Sequence, residues 1–390
     1  MISLAELQEV ASEWGLPITT VERDYVLGWG LWAIGSHEGV KDKWIFKGGT
    51  CLKKCFMETW RFSEDLDFSL LPDSPFDVLS LRNAVVAMQS RIQTEAGIDF
   101  SVMPAVVRLR PGNKTAEGRV YFRSLTGMSH SPLSIKLDLT IAEPIITTPI
   151  ARKIQHAYGD TLPALGKVLC YSFPELFAEK IRAMGERSRP RDLYDIINLF
   201  WRNDPAVSRE EICRVLEQKC KNKNIPLVTL ETVSASPFLN ELKSEWGNML
   251  KHQLKELPPY EHFWDALSGF FNWLHGAPII QAPSIEVREV IDTSWTPPPT
   301  ASHWHGAPVE AIRFAAANHL CVKLGYQGTT RLIEPYALKK TAEGNIVLTA
   351  IKHDTRENRV YRIDRIESAE TTQIPFDARI PPQVHHRVKK

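Results

Sequence analysis

Apolar and polar positions alternate most cleanly in Leu133-Ser134-Ile135-Lys136-Leu137-Asp138-Leu139-Thr140-Ile141. Ile135, Leu137, Leu139 and Ile141 form one face, and Lys136, Asp138 and Thr140 the other, which predicts a half-buried strand. Asp65-Leu66-Asp67-Phe68-Ser69-Leu70 repeats the pattern, with Asp65, Asp67 and Ser69 on one side. Ser101–Arg108 and Val120–Ser124 also read as strands, joined by the turn-rich stretch 111–118. Helical spacing predicts helices over 4–14 and 21–35, the latter capped by Thr20 or Thr19. Further helices are expected over 75–96 (through Leu79, Val85, Val86 and Ile92), Pro174–Met184, Asp192–Trp201 and Ser208–Lys219. Ser208-Arg209-Glu210-Glu211 has the form of a capping box.

Residues 160–280 read as mostly helical, and their aromatic run (Trp246, Phe263, Trp264, Phe270, Phe271, Trp273) reads as core. The proline-dense stretch 277–308 predicts a linker. Beyond it, 319–323, 325–334, 337–340, 346–352 and 359–366 are expected strands of a small module over 309–378. Turns fall at Gly344-Asn345 and 353–358, and 381–390 reads as a tail. The expected division is thus 1–160, 161–276, 277–308 and 309–378.

Length and composition fit a water-soluble chain of two or three domains: 390 residues, 43% apolar and 24% charged. A formal charge of +1 removes bulk basicity as an argument for nucleic-acid binding and leaves local patches open. No apolar run is long enough to cross a bilayer, and the first residues do not resemble a signal peptide. Six dispersed cysteines without a CxxC pair fit a reducing cytoplasm, with Cys51 and Cys55 read as packed thiols. His303-Trp304-His305 is a weak metal candidate, and His385-His386 reads as exposed tail.

Charge chemistry concentrates near Phe46-Lys47-Gly48-Gly49-Thr50. The run Lys43–Phe46 before it suits either a strand or the last turn of a helix. Gly48-Gly49 lets the backbone turn sharply and approach a ligand, and Thr50 is a plausible cap for a helix running to Phe56. Backbone N–H groups at such a start can hold phosphate oxygens. The spacing is not that of a Walker motif. Asp65 and Asp67 side by side repel unless a cation neutralises them, and hard oxygen ligands of this kind suit Mg2+ that bridges substrate phosphates. Asp138 supplies a third carboxylate, so the trio could hold two metals, activate a hydroxyl and steady a leaving pyrophosphate. Lys180 borders an apolar helical stripe and could meet a triphosphate as a point charge. Arg187, Arg189 and Arg191 precede Asp192 and Asp195, three apart on one helix face. For Arg189 a surface role suffices. For Lys180, Arg191 and Asp195 both a surface and a functional role stay open on chemistry alone.

Four stretches, FKGGTCLKKCF, RFSEDLDFSL, IKLDLTI and ELFAEKIRAMGERSRPRDLYDI, occur in the order found in the AbiEii/AbiGii toxin family of the DNA polymerase beta-like nucleotidyltransferases. The chain resembles that family over roughly residues 20–200. The resemblance implies an α+β fold: a polymerase-beta-like mixed sheet flanked by helices, with a helical part following. It also implies transfer of a nucleoside monophosphate from an NTP, with Mg2+, to an acceptor such as the 3′ end of tRNA, in toxin–antitoxin or phage-defence pairs. Gly48 and Gly49 match the nucleotide-binding turn, with Lys47 and Thr50 beside it. Ser63 precedes the metal-binding pair Asp65 and Asp67, and Asp138 matches the third acidic position. Lys180 matches the nucleotide-binding lysine, and Arg191 and Asp195 lie in the final motif. A cognate AbiEi-like antitoxin follows from the same resemblance.

Near the C-terminus, Thr330–Leu338, Tyr361–Ile366 and Thr371–Phe376 resemble a WYL domain. That resemblance implies a small Sm/SH3-like β-barrel that senses a ligand or nucleic acid. Here Glu334-Pro335-Tyr336-Ala337-Leu338 stands in place of the Trp-Tyr-Leu signature. Two further activities are open on the sequence: nucleotide transfer to a protein, and a sensor that keeps the fold without catalysis.

Overall fold

The computed structural model describes residues 1–57, 60–127, 131–163, 166–202, 207–277, 307–340, 345–378 and 382. The predicted linker (apart from residues 277, 307 and 308), His303–His305 and His385-His386 lie outside the described residues. The chain divides into two compact units. The first comprises Met1–Ala11, Leu16–Glu186 and Val207–Val228, and the second Ser12–Gly15, Arg187–Ala206 and Thr229–Lys390.

The first unit is built on a seven-stranded sheet. Its strands are β1 (Trp44–Lys47), β2 (Asp65–Leu70), β3 (Val106–Leu109), β4 (Thr115–Phe122), β5 (Leu133–Thr140), β6 (Ile150–Lys153) and β7 (Lys167–Cys170), in the order β3-β4-β5-β2-β1-β7-β6. β2 runs parallel to β5 and antiparallel to β1, and β1 is parallel to β7, so the sheet is mixed. Of Lys43–Phe46, Trp44–Phe46 therefore resolve as strand and Lys43 stays in the preceding turn. The apolar face of β2 and β5 is covered by α2 (Ile18–Gly35) and α4 (Val78–Ala96), through Val26, Ile34, Val85, Met88 and Ile92. Within α4, Leu79 and Val86 are exposed while Leu81, Val85, Met88 and Ile92 are buried, so the apolar stripe is narrower than the sequence suggests. Asp77 accepts from Ser80 N at 2.9 Å to start α4, and Gly97 ends it with a left-handed turn.

Three local expectations change. β4 starts at Thr115, inside the expected loop, because each of its residues pairs with β5. Residues 101–105 stay outside β3, and β6 and β7 appear where the sequence suggested helix or nothing. β4, β6 and β7 are drawn into strand by antiparallel pairing with a neighbouring strand, which outweighs local propensity.

The second unit contains α6 (Pro190–Arg202) and α11 (Tyr260–Leu274). Phe263 stacks on Tyr194 at 5.2 Å and meets Trp201 at 5.0 Å, and Trp246, Phe270 and Phe271 are buried, so most of the aromatic run is core, with Trp264 and Trp273 half-buried. Its C-terminal module starts with helix α12 (Ala307–Ala317), which the strand-only reading missed. Five antiparallel strands follow: β8 (Leu320–Tyr326), β9 (Thr329–Lys340), β10 (Ile346–Lys352), β11 (Asn358–Arg362) and β12 (Ile366–Pro375). Two expected strands merge into β9. Pairing skips from Ala337 to Pro335, which leaves Tyr336 bulged and lets the proline sit inside a strand.

The expected β-barrel is not formed. The strand order is β11-β10-β9-β8-β12, and no ladder among the described residues joins β11 to β12. A barrel needs its two edge strands to pair. Here α12 covers the sheet, with Ile312 and Ala315 buried against Leu320, Val322, Leu324 and Ile333. The apolar face is thereby closed by a helix, and the sheet stays open.

Candidate active site

The strand register assembles the site. Lys47 pairs with Asp67, Asp67 with Asp138, Asp138 with Glu117, and Glu117 with Arg108. Residues paired across neighbouring strands point to the same side of a sheet. Three carboxylates thus stand in one row across β2, β5 and β4, flanked by Lys47 and Arg108. Asp65 is opposite Lys136 on the same face, one step along. The sequence showed each alternation; only the pairing places Asp67 directly beside Asp138.

The glycine turn lies against this row. Gly48 has φ +81°, and a Cβ there would come within 2.3 Å of Asp67 Oδ2. A Cβ on Gly49 would lie 2.7 Å from Arg61 Nη2 and 3.3 Å from Ser63 Oγ. Gly48 therefore excludes a side chain for both steric and conformational reasons, whereas a side chain at Gly49 would have to displace the end of Arg61. Helix α3 (Gly48–Cys51) begins at the turn and continues into a π-turn, Leu52–Phe56. Thr50 is not its cap, which is Lys47. The Thr50 hydroxyl instead donates to the carbonyl of Asp65 at 2.5 Å, tying the turn to the start of β2.

The electrostatics follow from crowding. The Asp67 carboxyl is pushed up to about 6, chiefly by burial. Asp138 and Asp65 push it further up, while the charges of Lys47 and Lys180 pull it down. Lys180, on α5 (Phe173–Arg187), is buried and its charge reaches Asp67. Burial works to lower the Lys47 amine, but Glu143, Glu179 and Asp67 outweigh it and hold the amine above its ordinary value. Asp138 accepts from Arg110 Nη2 at 2.7 Å and from Lys136 Nζ at 2.6 Å.

Lys47 is anchored from behind by an ion pair with Glu143, which also lies 3.4 Å from Lys223. Lys219 bridges Glu175 at 2.9 Å and Glu179 at 3.3 Å, and Glu175 accepts the backbone N–H groups of Ile146 and Thr147, each at 2.9 Å. This network involves Glu143, Glu179 and Lys219, none of which the sequence reading singled out. Glu175 and Glu179 do fall on the apolar-striped helix that carries Lys180. Glu143 gives no signal, because it sits in an irregular segment after β5. Arg110 was likewise missed, in the turn between β3 and β4.

The donor set fits Mg2+ at Asp65 and Asp67: two carboxylates on one strand face, one with its carboxyl raised chiefly by burial and further by its acidic neighbours, a strain that a cation relieves. Asp138 lies beside them but is engaged by Arg110 and Lys136. Among the described residues, the trio whose ligand atoms converge within 4.8 Å is Cys51, Cys55 and Cys170, not the aspartates. Arg191, Asp192 and Asp195 sit at the start of α6 in the second unit, where Asp192 pairs with Arg187 at 2.8 Å. Asp195 is buried.

A glycine turn thus stands against the acidic strand of a mixed sheet, with Lys47 at its flank. Residues 31–269 match the family described as nucleotidyl transferase AbiEii toxin, type IV TA system, and 308–371 match the WYL domain. The chain belongs to the AbiEii nucleotidyltransferase family, with a WYL domain fused behind the enzyme. Among solved structures it is similar to MenT4, a nucleotidyltransferase toxin from Mycobacterium tuberculosis H37Rv. Identity there is 18%, with 71% of this chain and 91% of that chain covered, at a TM-score of 0.49. It is also similar to proteasome accessory factor B/C of Arthrobacter aurescens, at 19% identity over 34% of this chain and 21% of that chain, with a TM-score of 0.17. No curated protein matches the chain. Among the described residues no helix is long and apolar enough to cross a membrane.

Proposed function

We propose that the enzyme transfers a nucleoside monophosphate from an NTP to the 3′ end of tRNA, as the toxin of a pair with an AbiEi-like antitoxin in the cytoplasm. The observation that carries this reading is the register Lys47–Asp67–Asp138 with Gly48 pressed against Asp67. Asp65 and Asp67 would hold Mg2+, with Asp138 as third ligand, and the ion would offset the charge on the phosphates and on the departing pyrophosphate. The turn at Gly48, Gly49 and Thr50, together with Ser63, seats the phosphates by backbone N–H and hydroxyl donors. Lys47 and Lys180 offset negative charge that builds up during transfer. Arg191 and Asp195 are assigned to nucleotide binding on the family resemblance alone. The acceptor hydroxyl attacks the α-phosphorus, the bond to the bridging oxygen of pyrophosphate breaks, and Asp138 takes the hydroxyl proton. Arg110 and Lys136, which hold Asp138 in this structure, keep two positive charges beside the carboxylates. The domain limits 1–160, 161–276, 277–308 and 309–378 belong to the same proposal, with the WYL domain as the part that senses a ligand or nucleic acid.

Incubation of the enzyme with Mg2+, each α-labelled NTP and total cellular RNA or protein tests the reading. Label on the tRNA fraction is expected, and it is abolished by Asp65→Asn in a folded variant. Label on protein would move the acceptor to a side chain, and full activity in Asp65→Asn would remove the metal role of that residue.

A further inference from the structure

Cys51 ends α3, Cys55 lies in the π-turn that follows, and Cys170 ends β7. Their sulfur atoms lie within 4.8 Å of one another, and all three residues are buried, at 0%, 2% and 0% exposure. Two ligands come from the segment that follows the glycine turn and the third from the strand that pairs with β1 at Phe46. We infer that Cys51, Cys55 and Cys170 form a buried three-thiolate site for a soft, thiophilic metal ion, which fastens the nucleotide-binding turn to the central sheet. Sulfur ligands select ions of the zinc and monovalent copper class over Mg2+, so this site and the aspartates do not compete for one metal.

Further features favour a ligand site over packing alone. Zinc–sulfur bonds of about 2.3 Å place sulfurs roughly 4 Å apart, so the trio needs only small rotamer shifts to close on an ion. The three sulfurs already face one another within 4.8 Å in the interior, and the Cys170 thiol also donates to the Ile150 carbonyl at 3.3 Å. Arg152 donates to the Cys55 carbonyl at 3.2 Å, and its charge acts on both Cys55 and Cys170. Arg152 is itself exposed, and with a divalent ion its charge balances three thiolates, which lessens the cost of the buried negative charge. Binding releases the remaining thiol protons to solvent. The π-turn, an uncommon element concentrated at functional sites, sets the spacing of Cys55 relative to Cys51.

The test uses the full chain, reduced and freed of metal by chelation. Zn2+ is titrated against a chromophoric chelator, Cu+ against a copper(I) chelator, and Co2+ serves as optical reporter. The expected result is one equivalent of Zn2+ or Cu+ per chain, a sulfur-to-cobalt charge-transfer band, and a higher Tm with metal; the tighter of the two ions identifies the occupant. Cys170→Ser and Cys55→Ser should each weaken binding by more than the roughly 10- to 100-fold typical of outer-shell changes. Cys213→Ser, away from the trio, should bind as the wild type does. If the wild type with reduced thiols takes up neither ion, the inference fails without any variant. It also fails if both serine variants bind like the wild type. Should Cys170→Ser not fold, Cys55→Ser and the wild-type titration decide. None of these readouts depends on nucleotide transfer, so the proposed reaction can fail while the site stands, and the reverse.

Discussion

Replacing Gly48 with alanine tests the geometry of the site with a single methyl group. Two effects follow. The residue occupies φ +81°, where a side chain costs about 1–2 kcal/mol. The added Cβ would lie 2.3 Å from Asp67 Oδ2, when Cβ contacts below 3.0 Å essentially do not occur. The turn or the Asp67 carboxylate must therefore retreat by about 0.7 Å. Asp67 is the carboxylate proposed to bind the metal that meets the phosphates. A displacement approaching 1 Å at a reacting centre costs on the order of 100-fold in rate. Gly48→Ala should thus lose about 1–2 kcal/mol of stability by urea denaturation and on the order of 100-fold in nucleotide transfer, with the loss in kcat exceeding the rise in KM. The assay is incorporation of α-labelled NTP into RNA at saturating Mg2+. A folded Gly48→Ala variant with wild-type kcat would refute the claim that the turn positions Asp67.

Two further variants probe what supports the site and how its unit responds to pH. Lys219→Ala leaves Glu175 and Glu179 without the cation between them, and breaking a buried pair of this kind costs about 3–5 kcal/mol, read as a lower urea midpoint at unchanged slope. Asp99 is held down to about 2 by Arg123 and Ser101, against an ordinary value of 3.8. A depressed carboxyl adds stability above the unfolded value and loses it as pH falls through the folded one. The small advantage of the wild type over Asp99→Asn should therefore hold at neutral pH and vanish between pH 3.8 and about 2, checked by urea midpoints across that range.

Much of the site was legible because its chemistry is local. Gly48-Gly49, the alternation around Asp65 and Asp67, and the strand bearing Asp138 are patterns of a few residues each, and the structure keeps those strands. The supporting cations and anions were less legible. Arg110 and Glu143 come from a turn and an irregular segment, which carry no periodic signal, and their partners are 28 and 96 residues away in the chain. The C-terminal module shows the same limit. Its strands are local alternations, while closure or non-closure depends on whether β11 finds β12, and α12 covers the sheet instead.

By itself, then, the sequence determined the family, the glycine turn and the three acidic positions, since steric freedom at glycine and period-two alternation are properties of short segments. The tertiary structure decided which of those positions stand together. Register placed Asp67 between Lys47 and Asp138, burial raised its carboxyl, and a strand from more than 100 residues away brought Cys170 to Cys51 and Cys55. Contacts between strands distant in the chain are set by packing of the whole sheet, which no local pattern encodes.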